Sequence, residues 1–307
     1  MSGSENANKK RSVEAVGTLY GVAAYGLWGL FPLYWRALST VPPFQILMHR
    51  IIWAFVFTLI LALALKRRDA LIALLRSPRR LITTAVAGVL VSANWGIYIW
   101  AVNSGRIIET SLGYYLTPLV SVLLGVTVLR EKVDRGIIAA CVIAAIGVGI
   151  LTVSYGKLPW VALSLALTFA TYGLIKKLTG LDALTGLMAE TFFVFPFAIA
   201  YLWFEHAAGR GTFGIIGMKE TVMLALAGVV TAIPLLAYAA GVKRIPLYRM
   251  GILQYISPTC QLALGVLVFG ESVRGARAVA FACILLALIV FALTRKHRKA
   301  ISFKSEC

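Results

Sequence analysis

Charge is scarce in this sequence of 307 residues. Asp, Glu, Lys and Arg together make up 14%, against about 25% in an average soluble domain. Apolar residues make up 60%. Such a chain cannot cover a water-facing surface, which excludes a soluble enzyme or a string of soluble domains. Cysteine is limited to Cys141, Cys260, Cys283 and Cys307, with no short paired spacing, so neither a disulfide framework nor a zinc site is implied. The three histidines, His49, His206 and His297, are too scattered for a metal-ligand set. The phosphate-binding pattern GxxxxGK[ST] does not occur, so ATP is not the direct energy source, and no cofactor is expected.

What the chain has in abundance is long apolar runs. Ten spans are placed near residues 15–36, 43–65, 81–103, 107–129, 134–153, 158–176, 183–204, 220–242, 247–269 and 275–294. At roughly 20 residues per helix they fill the chain and leave only short loops. The expected fold class is therefore all-α membrane protein with ten transmembrane helices. Lys9, Lys10 and Arg11 before the first run resemble the start of a signal peptide, but the run exceeds the usual apolar core of one and reads as a retained anchor.

Acidic residues are the scarcest charge, 12 against 30 basic ones, for a formal charge of +18. With the N-terminus inside, the inner segments collect 22 of the Lys and Arg, the outer ones hold 7, and Arg50 lies within a span. This bias predicts that both termini and the loop around Arg76 are cytoplasmic. The positive charge then faces an anionic lipid leaflet, and nucleic acid is not an expected partner.

An internal repeat organises the chain. At an offset of 140 residues, Tyr115, Pro118, Leu124, Gly125 and Glu131 fall on Tyr255, Pro258, Leu264, Gly265 and Glu271. Upstream, Gly88 and Tyr98 fall on Gly228 and Tyr238, and Phe55 on Phe195; in the first helices the offset becomes 144 and sets Trp28 on Tyr172. The organisation expected is a tail over 1–12, a five-helix repeat over 13–153, a second over 154–294, and a basic tail over 295–307. An odd helix count per unit inserts the second copy upside down, and inverted repeats of this kind place a substrate site near the midplane of many secondary transporters.

The run Ser111–Glu131, SLGYYLTPLVSVLLGVTVLRE, and its partner Gly251–Glu271, GILQYISPTCQLALGVLVFGE, resemble the paired signatures of the EamA branch of the drug/metabolite transporter superfamily. His49 to Trp53, Asn94 to Asn103, Val230 to Leu236 and Gln254 to Ile256 are similar to the RarD-type subgroup. The resemblance covers the chain between the tails. It implies a carrier of small molecules whose central cavity is walled mainly by helices 1, 3, 4, 6, 8 and 9.

The residues themselves suggest where transport would be carried. Pro118 and Pro258 occupy equivalent places in the fourth and ninth helices, where a pair of kinks would serve gating. Trp28, Asn94, Tyr98, Tyr115, Tyr172, Tyr238 and Tyr255 fall deep within spans, and six of them form the pairs 28/172, 98/238 and 115/255, as expected of substrate-binding residues lining a cavity. Trp35, Trp160 and Trp203 lie near span ends, at the headgroup level. Gly17, Gly21 and Gly29 form a small-residue stripe that reads as helix packing, as do Gly136, Ala140 and Ala144.

Charges inside spans are functional candidates by default. Arg50 and Glu190 are such charges and are symmetry mates. Glu190 is a candidate proton-coupling group, while Arg50 has the alternative of snorkelling to outer phosphates. Glu131 and Glu271, at helix ends beside Arg130 and Arg274, are expected to be solvated or structural.

The function expected is that of a secondary transporter and not an enzyme, exporting or exchanging a small-molecule substrate across the lipid bilayer by alternating access. Its energy source is protons or simple downhill flux, and its oligomeric state is open. The rivals are an intramembrane enzyme acting on a lipid-linked substrate, which would need a convergent polar cluster, and a membrane scaffold with no flux.

Overall fold

A computed structural model describes residues 2–67, 72, 74, 76–128, 130, 135–156, 158–179, 181–242, 244–245, 253–276, 278–287 and 289–290. Its elements are helices α1 (Ser2–Ala37), α2 (Pro43–Ala64), α3 (Pro78–Asn103), α4 (Ile107–Thr127), α5 (Arg135–Tyr155), α6 (Trp160–Thr179), α7 (Ala183–Ala207), α8 (Met218–Val242), α9 (Ile256–Leu267) and α10 (Ala278–Ala287). No strand occurs among the described residues. Six helices, α1 to α4, α7 and α8, are long and apolar enough to cross a membrane, which makes this a multi-pass membrane protein. Shorter apolar helices occupy the other four expected spans. Helix α1 begins at Ser2, so the expected N-terminal tail continues the first helix, whose apolar part starts at Ser12. Glu131, residues 247–252 at the start of the expected ninth span, and the basic tail 295–307 lie outside the described residues.

Local sequence sets the helix ends. Pro43 and Pro78 stand in the first turns of α2 and α3, where a missing N–H removes no helical bond. Asp182 caps α7, its Oδ1 accepting from the amides of Leu184 and Thr185, each at 3.2 Å. Burial opposes ionisation of this carboxyl, but those hydrogen bonds and the charge of Arg67 outweigh it and hold its pKa below the usual range. Gly105 and Gly209 close α3 and α7 at φ +68 and +72, the left-handed region that favours glycine.

Packing joins the two halves of the chain. Helix α2 lies against α7 and α8, α1 against α8 and α9, α3 against α6 and α7, and α4 against α6 and α9. Helices α2 and α7 run antiparallel. Phe44, at the start of α2, meets Tyr201, near the end of α7, while Ala62, at the end of α2, clusters with Leu184 and Met188 at the start of α7. Helices α4 and α9 are likewise antiparallel: Ile108 lies beside Gly265, and Ser111 Oγ donates to the Pro258 carbonyl at 2.7 Å.

One core gathers side chains of α1 to α3 and α6 to α8, and a second those of α4, α5, α6 and α10. The outer surface keeps large apolar side chains exposed, among them Leu63, Ile82, Trp203, Phe204 and Leu267. In water such a surface would drive association; in a bilayer it faces lipid. Gly17 faces Arg244 and Ile245, and Gly29 faces Cys260, so the small stripe of α1 is used inside the chain. Ala140 and Ala144 are buried in the second core.

Candidate functional site

Arg50 is 3% exposed, so it does not snorkel to lipid phosphates. Its Nε donates to Thr231 Oγ1 on α8 at 2.9 Å. Its guanidinium carbon stands 4.0 Å from the Trp95 ring centre, 5.0 Å from Trp35 and 5.7 Å from Phe31. Trp35 is buried in this cage beside Arg50. The ring faces carry the negative end of the aromatic quadrupole and partly offset the cost of burying a cation. Trp160 and Trp203 stand exposed.

Glu190 is 1% exposed and is held from α6. Lys176 Nζ lies 2.7 Å from its Oε1, and Tyr172 donates its hydroxyl to Oε2 at 2.9 Å. Arg50 and Glu190 are therefore provided for separately, Arg50 by rings and a threonine, Glu190 by a lysine and a tyrosine.

The deep aromatic residues fall into two groups. Trp28 packs edge-on to Tyr25, with ring centres 5.3 Å apart, and lies 5.9 Å from Tyr238. Trp28 and Tyr172 pack on the same core, and from Tyr172 the rings continue through Phe169 and Tyr114 to Tyr98. Asn94 braces this column: its Nδ2 donates to the Leu165 carbonyl at 3.1 Å and to Thr168 Oγ1 at 2.9 Å, and its Oδ1 accepts from Tyr114 at 3.3 Å. Trp28, Asn94, Tyr98, Tyr172 and Tyr238 thus belong to one connected column. Tyr115 and Tyr255 stand apart, stacked on each other at 6.3 Å against the second core, with the Tyr115 hydroxyl 2.6 Å from Thr259 Oγ1.

The two prolines are not structurally equivalent. Pro118 lies inside α4, whereas Pro258 falls in the first turn of α9, where it removes no helical bond. Glu271 has a structural role: its two oxygens accept from the amides of Ile107 and Ile108, at 2.7 and 2.9 Å, so a carboxylate sits at the positive end of α4.

Sequence reasoning missed Tyr114, Phe169, Trp95 and Lys176. The first two lie within a few residues of Tyr115 and Tyr172, and only helix rotation tells them from their neighbours. It also missed a cavity of about 340 Å³ between α2, α7 and the 208–217 connection, lined by Gln45, His49, His206, Thr212 and Phe213 among others. Gln45 closes one wall by accepting from Thr212 and donating to the Arg210 carbonyl, and His49 stacks on Phe213 at 4.9 Å. The Arg210 guanidinium is fixed by two 3.0 Å bonds to Glu205, which raise its pKa.

Comparison with known proteins places this geometry. The EamA-like transporter family matches residues 15–153. The chain is 45% identical over 292 residues to the uncharacterized transporter YojE of Bacillus subtilis, covering 93% of this chain and 96% of that protein. It is 42% identical to protein RarD of Streptomyces exfoliatus, covering 92% and 90%. A solved crystal structure with 20% sequence identity superposes with a TM-score of 0.57 over 92% of this chain and 98% of the other, a likeness of fold.

Proposed function

This chain belongs to the EamA-like transporter family of the drug/metabolite transporter superfamily, in its RarD-type subgroup, and from that premise we propose that it is a secondary exporter of small metabolites or drugs. It works by alternating access in the cytoplasmic membrane, with ten membrane helices in two inverted repeats and both termini inside.

The observation that carries this reading is that repeat mates touch each other. Phe55 lies 4.6 Å from Phe195, and Tyr115 stacks on Tyr255, each pair separated by 140 residues. Equivalent groups in contact straddle a pseudo-twofold axis. The helices that bear them, α2 with α7 and α4 with α9, are antiparallel, which is what an axis in the membrane plane requires. Exchanging α1 with α6, α2 with α7, α3 with α8 and α4 with α9 also converts the contacts α1·α8, α2·α8 and α1·α9 into α6·α3, α7·α3 and α6·α4, all of which occur.

In this reading the column of Trp28, Asn94, Tyr98, Tyr172 and Tyr238 faces the substrate when the halves part. Tyr115 and Tyr255 are the substrate contacts nearest the axis, and the gating role falls on Pro118, which lets α4 bend, with Pro258 at the start of α9 marking where that helix pivots. Glu190, with Lys176 and Tyr172, is the candidate proton relay. Counterflow of a panel of amino acids, drugs and other small metabolites in proteoliposomes tests the proposal: at least one compound is expected to exchange saturably, and the absence of exchange with every compound would favour a scaffold.

A further inference from the structure

Arg50 carries its charge at any pH a cell reaches and has five N–H groups to satisfy. Only its Nε bond to Thr231 is made, while Nη1 is buried without a hydrogen-bond partner among the described residues. It forms no ion pair with a carboxylate of those residues, and its repeat mate Glu190 is engaged with Lys176 and Tyr172. Tyr98 stands about one helical turn from Trp95, whose ring lies 4.0 Å from the guanidinium carbon, and its hydroxyl is also buried without a hydrogen-bond partner among the described residues. Arg50 Nη1, the Tyr98 hydroxyl and, within the same cage, Trp35 Nε1 are buried donors that all lack an acceptor among the described residues.

From these unpartnered donors, and resting on the transporter reading above, we infer that Arg50 and Tyr98 form an anion subsite and that the substrate is an organic acid seated there by its carboxylate. A carboxylate accepts at several lone pairs and donates at none, so it complements an N–H and an O–H together; a neutral amide supplies less charge, and an ammonium is repelled. The guanidinium is fixed for this role. Trp95, Trp35 and Phe31 surround it, and Thr231 holds Nε, which directs the remaining donors elsewhere. The rings that continue from Tyr98 to Tyr114, Phe169 and Tyr172 offer an apolar wall for the body of the acid. Arg50 and Tyr98 belong to the first half of the chain and the wall residues Phe169 and Tyr172 to the second, so an occupant that reaches this wall touches both halves.

The test uses the purified full chain and four acids, acetate, benzoate, phenylacetate and indole-3-acetate, each beside its primary amide. At least one acid is expected to raise the melting temperature saturably while its amide does not. Tyr98→Phe removes a hydroxyl that bonds to nothing among the described residues, so its unliganded stability is expected to equal or exceed wild type while the Kd for that acid weakens about tenfold or more. Arg50→Lys, which keeps the charge and loses the fork, is expected to weaken it as well. Amides that stabilise as well as the acids, or undiminished acid binding by Tyr98→Phe, would overturn the inference. So would stabilisation by phosphatidylglycerol or inorganic phosphate with none by any acid, which would assign the donors to a lipid headgroup or a free phosphate. The two readings separate cleanly. Acid binding without counterflow of any compound supports the subsite and removes transport, whereas counterflow confined to neutral and cationic compounds supports transport and removes the subsite.

Discussion

Lys176→Met is expected to lose far more folded protein than Glu190→Gln, although the two changes cut the same 2.7 Å contact. The reason is burial. The Glu190 carboxylate is 1% exposed, whereas the Lys176 side chain keeps 24% of its surface. Removing the lysine leaves a buried carboxylate with Tyr172 as its remaining donor, a change that typically costs about 3–5 kcal/mol. Removing the charge of Glu190 instead leaves an ammonium that reaches water, and a glutamine oxygen still accepts from Tyr172, so the cost falls to about 1–2 kcal/mol. The double variant Lys176→Met with Glu190→Gln is expected to recover most of the loss. Thermal unfolding of the three proteins in one detergent checks the order, and equal losses in both single variants would show that the pair is not what stabilises this place. Flux measured on the same Glu190→Gln protein tests its coupling role: loss of pH dependence is expected if the carboxylate carries the proton, and an unchanged profile would remove Glu190 from that role.

Gly228→Ala and Gly88→Ala are expected to destabilise the bundle severely, and by similar amounts, because they are the same position in the two repeats. A methyl group at 228 would meet the backbone of Trp53 and Ala54, and one at 88 the backbone of Glu190. Backbone cannot turn aside as the tip of a side chain does, so α8 must separate from α2, or α3 from α7. Overpacking of this kind typically costs about 1–3 kcal/mol and sometimes more. Gly26 and Gly173 are the controls, since nothing stands within 4 Å of the added carbon at either. Alanine there is expected to be neutral or to stabilise by up to about 1 kcal/mol, the ordinary helical preference. Comparing yields of folded protein for the four variants checks the contrast, and a well-folded Gly228→Ala protein would contradict the close approach.

The all-helical, membrane-spanning character was legible because it is written in composition. Apolar runs of fixed length mark helices, and the offset of 140 residues paired Gly88 with Gly228 and Phe55 with Phe195 before any contact was known. The partners of individual side chains were not legible, since these depend on how each helix is turned about its axis. Lys176 reads in sequence as one more basic residue at an inner helix end, yet it reaches Glu190. Trp35 reads as an interfacial tryptophan, yet it flanks Arg50. The grouping of seven deep polar and aromatic residues was partly legible: pairing by repeat placed Tyr115 with Tyr255, but gave no sign that these two leave the column formed by the other five.

In the proposed alternating-access cycle α4 and α9 move relative to each other, and a reversible cross-link tests this most directly. A carbon added at Gly265 would lie 3.1 Å from Ile108 Cγ1, so Ile108→Cys with Gly265→Cys, in a chain whose four native cysteines are alanine, places two thiols within bonding reach. The counterflow rate is then measured in proteoliposomes before oxidation, after oxidation and after reduction. The account predicts at least a tenfold loss when the disulfide forms and recovery when it is reduced. A fully cross-linked protein that transports at the reduced rate would contradict it.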